Sequence, residues 1–342
     1  MVRRMRARWL PLVLCCLIPI TGCRDRAPRI PAGGATFVEP LIQDWAAEHY
    51  RRTGVEIDYQ RKGSGYGIQQ MTERTIDFGC TDAPMSAAEL DRARGVGGEV
   101  LQIPLALGAI AVVYSLPGLE AELVLSGPVL ADIFRRKITH WNDPSLIALN
   151  PGTNLPPDAI VPVYRAESSG TSHLFTSYLG SVSEGFRNAV GVDKKPRWPE
   201  GGLAQEGSDG VVGHVRRNRY TIGYAEVLFA KRSNVAMAKI VNRSGNPVLP
   251  ETENVLASAE SNGGESAESF INRAGEKSYP IVGLSFAVFY RIQPRERGKI
   301  LAEFFRWATA EGQIRAESLG YAPLPPNIRS NAASILDRIH LE

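Results

Sequence analysis

Charge of one sign is scarce in this 342-residue chain: 39 Lys and Arg stand against 36 Asp and Glu, a net +3. So small an excess argues against a nucleic-acid binder that lives on phosphate-backbone attraction. Arg3, Arg4, Arg6 and Arg8 lie within the first eight residues, and without those four the balance is 35 against 36. Any anion bound by the remainder must be held by a local site and not by a global field. Cysteine is sparse, at four residues, and the five histidines (His49, His140, His173, His214, His340) show no metal-ligand spacing. Long apolar runs are missing as well, since Trp9 to Ile20 is too short to span a bilayer. No internal repeat, heptad or long low-complexity tract occurs. The 44% hydrophobic content is that of a globular chain with room for two core-bearing units.

The N-terminus carries a basic region, the apolar stretch Trp9 to Ile20 and then Ile20-Thr21-Gly22-Cys23, the order of a secretion signal. Small residues before a cysteine resemble a bacterial lipobox. Residues 1–22 are therefore expected to be a lipoprotein signal peptide, with Cys23 as the lipidated first mature residue on an extracytoplasmic, membrane-anchored protein. Cys15 and Cys16 leave with the signal, so Cys80 is left without an intramolecular disulfide partner and reads as a packed apolar residue. Stability then rests on the cores. Residues 23–32, polar and proline-bearing, are expected to be a tether.

Beyond it, strand and helix patterns alternate, which predicts an α/β class. Leu41, Ile42, Trp45, Ala46 and His49 are at helical spacing after Pro40, and Val55, Ile57 and Tyr59 alternate with Glu56 and Asp58. Ser86-Ala87-Ala88-Glu89 spells a capping box. Ala109 to Tyr114 and Ile281 to Tyr290 read as strands, Ile300 to Ala308 and Ser330 to Ile339 as helices, and Ser258 to Ser269 as a surface loop. Trp45, Trp141, Trp198 and Trp307 read as packing residues.

Three polar or Gly-rich turns each precede a helical pattern: Gly33-Gly34-Ala35-Thr36-Phe37, Lys62-Gly63-Ser64-Gly65-Tyr66-Gly67, and Arg165-Ala166-Glu167-Ser168-Ser169-Gly170-Thr171. Helix starts offer unpaired amides and a positive dipole end, so each turn is either an ordinary cap or part of an anion cradle. Three together, with an arginine and an acid, favour the cradle.

These turns, with Asp77-Phe78-Gly79-Cys80-Thr81-Asp82-Ala83-Pro84, Ile138-Thr139-His140-Trp141-Asn142-Asp143-Pro144, Gly207-Ser208-Asp209-Gly210-Val211-Val212 and Ile222-Gly223-Tyr224-Ala225-Glu226, stand in an order that resembles the phosphate-binding proteins of bacterial ABC importers. The likeness runs from about residue 33 to near the C-terminus. It implies a two-lobed type II periplasmic-binding-protein fold, mixed sheets flanked by helices, with a two-strand hinge. Residues 33–108 plus 284–342 would form one lobe and 109–283 the other. Carried over position by position, it implies ligand contacts from Thr36, Phe37 through its amide, Ser64, Asp82, Arg165, Ser169, Gly170 and Thr171, with Glu167 supporting Arg165. The partners implied are inorganic phosphate and ABC permease subunits, for a monomer that needs neither cofactor nor metal and catalyses nothing.

The chemistry of these residues is coherent. Arg165 presents a planar fork of donors that suits a tetrahedral oxyanion. Asp82, read alone, either organises the turn before Ala83-Pro84 or faces a ligand. As an ionised carboxylate it accepts hydrogen bonds only, so it would repel an oxyanion that brings no proton, such as sulfate. Three departures from the family pattern stand out: Glu39 after Phe37-Val38, Lys62 and Tyr66 around Ser64, and Glu167 where an aspartate is usual. Other readings are a receptor for sulfate or molybdate, or a phosphate-ester hydrolase or sensor on the same scaffold. Ser169 with His173 hints at a hydrolase, but no G-x-S-x-G elbow is present.

Overall fold

Strands and helices alternate through the computed structural model, which describes residues 28–260 and 270–342. The first stretch runs β1 (Arg29–Gly34), α1 (Glu39–Thr53), β2 (Glu56–Arg61), α2 (Ser64–Thr72), β3 (Phe78–Thr81), α3 (Ala87–Gly97) and β4 (Val100–Ser115). Then come β5 (Val124–Ser126), α4 (Gly127–Phe134), α5 (Pro144–Leu149), β6 (Val161–Arg165), α6 (Gly170–Val182), α7 (Glu184–Ala189), β7 (Leu203–Gln205), α8 (Gly207–Arg217) and β8 (Thr221–Glu226). They are followed by α9 (Val227–Arg232), β9 (Ala236–Met237), β10 (Lys239–Val241), β11 (Pro247–Val248), α10 (Thr252–Glu260) and β12 (Val282–Tyr290). The C-terminal part adds β13 (Ile292–Gln293), α11 (Arg295–Thr309), α12 (Gln313–Ser318), α13 (Pro326–Leu336) and β14 (His340–Leu341).

Local chemistry explains the early elements. In α1, Pro40 occupies the first turn, where its missing N–H is no loss, and Leu41, Ile42, Trp45 and His49 form the buried face. Gly54 ends the helix at φ 72°, and its amide returns to the Tyr50 carbonyl. The Ser86 capping box forms as its spelling predicts: Ser86 Oγ accepts the Glu89 amide, and Glu89 accepts the Ser86 amide. All four expected packing tryptophans pack. Trp45 and Trp141 are buried, while Trp198 and Trp307 lie partly buried against the core.

Two expectations need correction. The tether does not extend to residue 32, because β1 begins at Arg29 and pairs in parallel with β2, Ile30 opposite Ile57 and Ala32 opposite Tyr59. Ile30 and Ala32 face inward, an alternation that Pro28 and Pro31 obscure in the sequence. Pro31 is tolerated because pairing with β3 starts only at Ala32. Ser258, expected in a loop, lies in α10 and donates to the Tyr279 carbonyl at 2.9 Å. The signal peptide, Cys23, most of the remaining tether and residues 261–269 lie outside the described residues.

The strands order as β2-β1-β3-β12-β4-β8-β6-β7, with β9 also on β4. β1, β2 and β3 are parallel, β12 is antiparallel to both β3 and β4, and β8 is antiparallel to β4 but parallel to β6. β4 belongs to two ladders. Its first part, Val100 to Ala109, pairs with β12, and its second, Ile110 to Ser115, pairs with β8. The second part also shares a core of Ala111, Val113, Val163, Val211, Val212 and Val215 with α8 and β6. A separate cluster of Ile68, Met71, Met85, Ala93, Val288 and Tyr290 packs α2 and α3 onto β12. The mixed sheet flanked by helices is the α/β class expected.

Candidate functional site

The three turns, and the end of β3, meet at one place. Thr36 and Phe37 lie between β1 and α1, Ser64 opens α2, Asp82 follows β3, Arg165 ends β6, and Ser169-Gly170-Thr171 starts α6. All the side chains among them are buried: Arg165 is 4% exposed and Asp82 1%. Strand ends here deliver polar groups to helix starts, so the backbone itself brings donors to the site.

The guanidinium of Arg165 is the hub. Its Nη2 donates to Thr36 Oγ1 at 3.0 Å, and Nη1 donates to Thr171 Oγ1 at 3.2 Å and Ser208 Oγ at 3.4 Å. On its other side Nε donates to Glu167 Oε1 at 2.8 Å, and Nη2 also meets that oxygen. Glu167 Oε1 accepts the Gly207 amide at 3.2 Å. The longer acid thus reaches both the arginine and the start of α8, and it aims the fork across the site.

Asp82 stands opposite. Ser285 Oγ donates to its Oδ1 at 2.7 Å, and Ser64 Oγ lies 3.5 Å from Oδ2. Ser64 Oγ also accepts the Gly170 amide at 3.0 Å and the Asp82 amide at 3.3 Å. Burial pushes the Asp82 carboxyl up to about 7, against the pull of the Ser285 bond, Arg165, Ser64 and Lys194. Desolvation thus favours the protonated form of Asp82 more than its residue type alone suggests.

Contact here is close enough to fix residue type. A Cβ on Gly170 would lie 2.7 Å from Asp82 Cβ, Asp82 N and Ser64 Oγ. Gly170→Ala is expected to cost roughly 1–3 kcal/mol of stability, measured as a lower urea midpoint at unchanged slope. Gly34, at φ 137°, lets the first turn lie against the Cys80 backbone, where a Cβ would come within 2.2 Å of the Cys80 carbonyl.

The departures are also placed. Glu39 is buried, and burial raises its carboxyl above the ordinary value. Lys62 sits over the Tyr66 ring at 5.4 Å, and both line a cavity of about 540 Å³ with Arg61, Glu167, Glu206 and Asp209, opening off Thr36. Cys80 is buried and free, and burial pushes its thiol up, in keeping with a packing role. The Phe37 carbonyl accepts from Tyr321 Oη at 2.7 Å.

Four participants escape the sequence reading. Ser208 sits in a noted stretch, but only the fold brings it to Arg165. Ser285 reaches Asp82 across 203 residues, its one signal being a hydroxyl inside the apolar run of β12. Tyr224 Oη accepts the Arg165 amide at 3.3 Å and lies 2.7 Å from Ser172 Oγ. Lys194 has no local motif at all.

A buried guanidinium that donates to hydroxyls from three separate elements, at the strand ends of a mixed α/β sheet, is a donor set suited to an oxyanion. The family model described as a PBP superfamily domain matches residues 24–311, and the chain belongs to that superfamily. It is 37% identical over 323 residues to the phosphate-binding protein PstS of Pasteurella multocida, covering 93% of this chain and 92% of that protein. It is also 37% identical to PstS of Haemophilus influenzae, over 90% of this chain and 92% of the relative. A solved high-affinity periplasmic phosphate-binding protein (PfluDING) bound with phosphate shares the fold at TM-score 0.73 and 21% identity, over 90% of this chain and 93% of that one. The fold is the type II periplasmic-binding-protein fold.

Proposed function

We propose that the chain captures inorganic phosphate and delivers it to the permease subunits of an ABC importer. The observation that carries this reading is the pairing of a donor fork with a proton-accepting acid: Arg165 and the hydroxyls around it can satisfy phosphate oxygens, while Asp82 can take the one proton phosphate keeps near neutral pH. The names of the relatives support it. The ligand contacts proposed are Thr36, the Phe37 amide, Ser64, Asp82, Arg165, Ser169, Gly170 and Thr171, with Glu167 orienting Arg165. The proposed lobes are 33–108 plus 284–342, joined by the start of β1 from Arg29, and 109–283, flexing where β4 passes from one ladder to the other.

Export through residues 1–22, lipidation at Cys23 and a monomeric, non-catalytic receptor complete the proposal. The relatives carry the name of a phosphate-binding protein. Calorimetric titration of the delipidated chain tests the central claim at pH 8. Phosphate is expected to bind with a Kd in the micromolar range or below, about −8 kcal/mol or stronger, and excess sulfate is not expected to displace it. Tighter sulfate binding would transfer the assignment to another oxyanion.

A further inference from the structure

Resting on the phosphate-capture reading, we infer that Lys194 is a latch residue. It holds the Asp82–Pro84 segment against the Ser169–Thr171 segment and so sets how long phosphate stays in the site. Among the described residues it is the one buried lysine, and its side chain is 10% exposed. Nζ donates to Glu89 Oε2 at 2.7 Å and to the Pro84 carbonyl at 3.3 Å. Pro84 is two residues beyond Asp82, and Glu89 is in the first turn of α3. Both belong to the first proposed lobe and Lys194 to the second.

The same residue reaches the ligand segment through its backbone. The Lys194 carbonyl accepts the Ser169 amide at 2.8 Å, and Ser169 caps α6. The turn that carries Lys194 is itself pinned. The Asp193 amide donates to Thr176 Oγ1 at 3.3 Å, and Asp193 Oδ1 accepts the Lys195 amide at 2.8 Å. Glu89 is equally fixed, because Oε2 also accepts the Ser86 amide at 2.7 Å in the capping box. An ammonium held at one end by a pinned turn, and a carboxylate held at the other by a helix start, lose little freedom on meeting. Burial pushes the Glu89 carboxyl up, but bonds from Lys194 and Ser86 outweigh it and leave it below its ordinary value.

The ammonium is 10% exposed and the carboxylate 29%, so water screens the pair only on the Glu89 side; a pair that spans two parts of a cleft in this way resists separation, and its loss is felt in dissociation more than in encounter. Lys194 is therefore a positioning residue. It touches neither Arg165 nor the hydroxyls, and acts through the two segments it joins.

The test loads the full chain with radiolabelled phosphate and follows its release into excess unlabelled phosphate, with association measured by rapid mixing. Lys194→Met and Glu89→Gln are each expected to speed release about tenfold, with association changed less than about twofold. Gln at 89 still accepts the Ser86 amide, so this variant keeps the helix start and carries the test if Lys194→Met does not fold. Lys194→Arg keeps the cation and is expected to stay near the wild-type rate. The double variant is expected to release no faster than Lys194→Met alone, since that substitution already removes both the ion pair and the Pro84 bond. Unchanged release in Glu89→Gln, or single effects that multiply in the double variant, overturns the latch. Wild-type protein that retains no phosphate overturns the capture reading, and the latch with it.

Discussion

Arg165→Ala is expected to weaken phosphate binding about a thousandfold or more, roughly 4 kcal/mol. The side chain is the buried hub of the site, donating to Thr36, Thr171, Ser208 and Glu167, and its loss removes the charge and leaves those groups misaligned. Truncating one member of a desolvated charge pair commonly costs 2–5 kcal/mol, and here the ligand is the other member. Arg165→Lys keeps the charge but not the fork. It is expected to lose about a hundredfold, because one ammonium cannot hold Glu167 and address the Thr36 and Thr171 sides together. Calorimetric titration of folded variants, checked by circular dichroism, reads both. A loss below tenfold in Arg165→Ala would place the anion elsewhere.

Asp82→Asn is expected to abolish the pH dependence of sulfate rejection. On the proposed reading an anion without a proton enters only when Asp82 holds one, and burial raises that carboxyl to about 7. Sulfate affinity should therefore fall about tenfold for each pH unit above 7 and level off below about 6. The asparagine variant should bind sulfate equally across this range, and a slope that persists would assign the proton to another group. Stability is linked to the same shift. A carboxyl whose folded value lies near 7, against an ordinary 3.8, binds more protons folded than unfolded. Stability is thus lost as pH rises from about 4 to about 7, by on the order of 4 kcal/mol. Asp82→Asn removes that loss, so the variant is expected to gain midpoint over the wild type at pH 8 and little at pH 4. Urea titrations at the two pH values measure this.

Legibility in the sequence follows range. Thr36, Ser64, Arg165 and Thr171 fall in turns that are legible locally, where glycines, hydroxyls and charges lead from a strand pattern into a helix start, whereas their roles, and the place of Asp82, follow from the family resemblance. The paired acid Glu167 was readable for the same reason, two residues from its partner. β1 was hidden, since two prolines masked an alternation that only pairing with β2 makes meaningful. Ser285 and Lys194 were out of reach. Their partners lie 203 and 105 residues away, and nothing in the flanking residues marks either as more than a strand hydroxyl or a surface lysine. The raised carboxyl of Asp82 was out of reach for a related reason, as desolvation belongs to the assembled site and not to the residue.

β4 carries one further consequence. Its sixteen residues stitch one ladder to Val282–Tyr290 and the next to Thr221–Glu226 without a break. Neither half of the protein can be lifted out as a cassette, because any cut that frees one strips bonds from the other. Recombination between relatives would have to exchange this strand and both its neighbours as a block. New ligand preferences would then arise more readily by altering the turns at the strand ends than by trading whole halves.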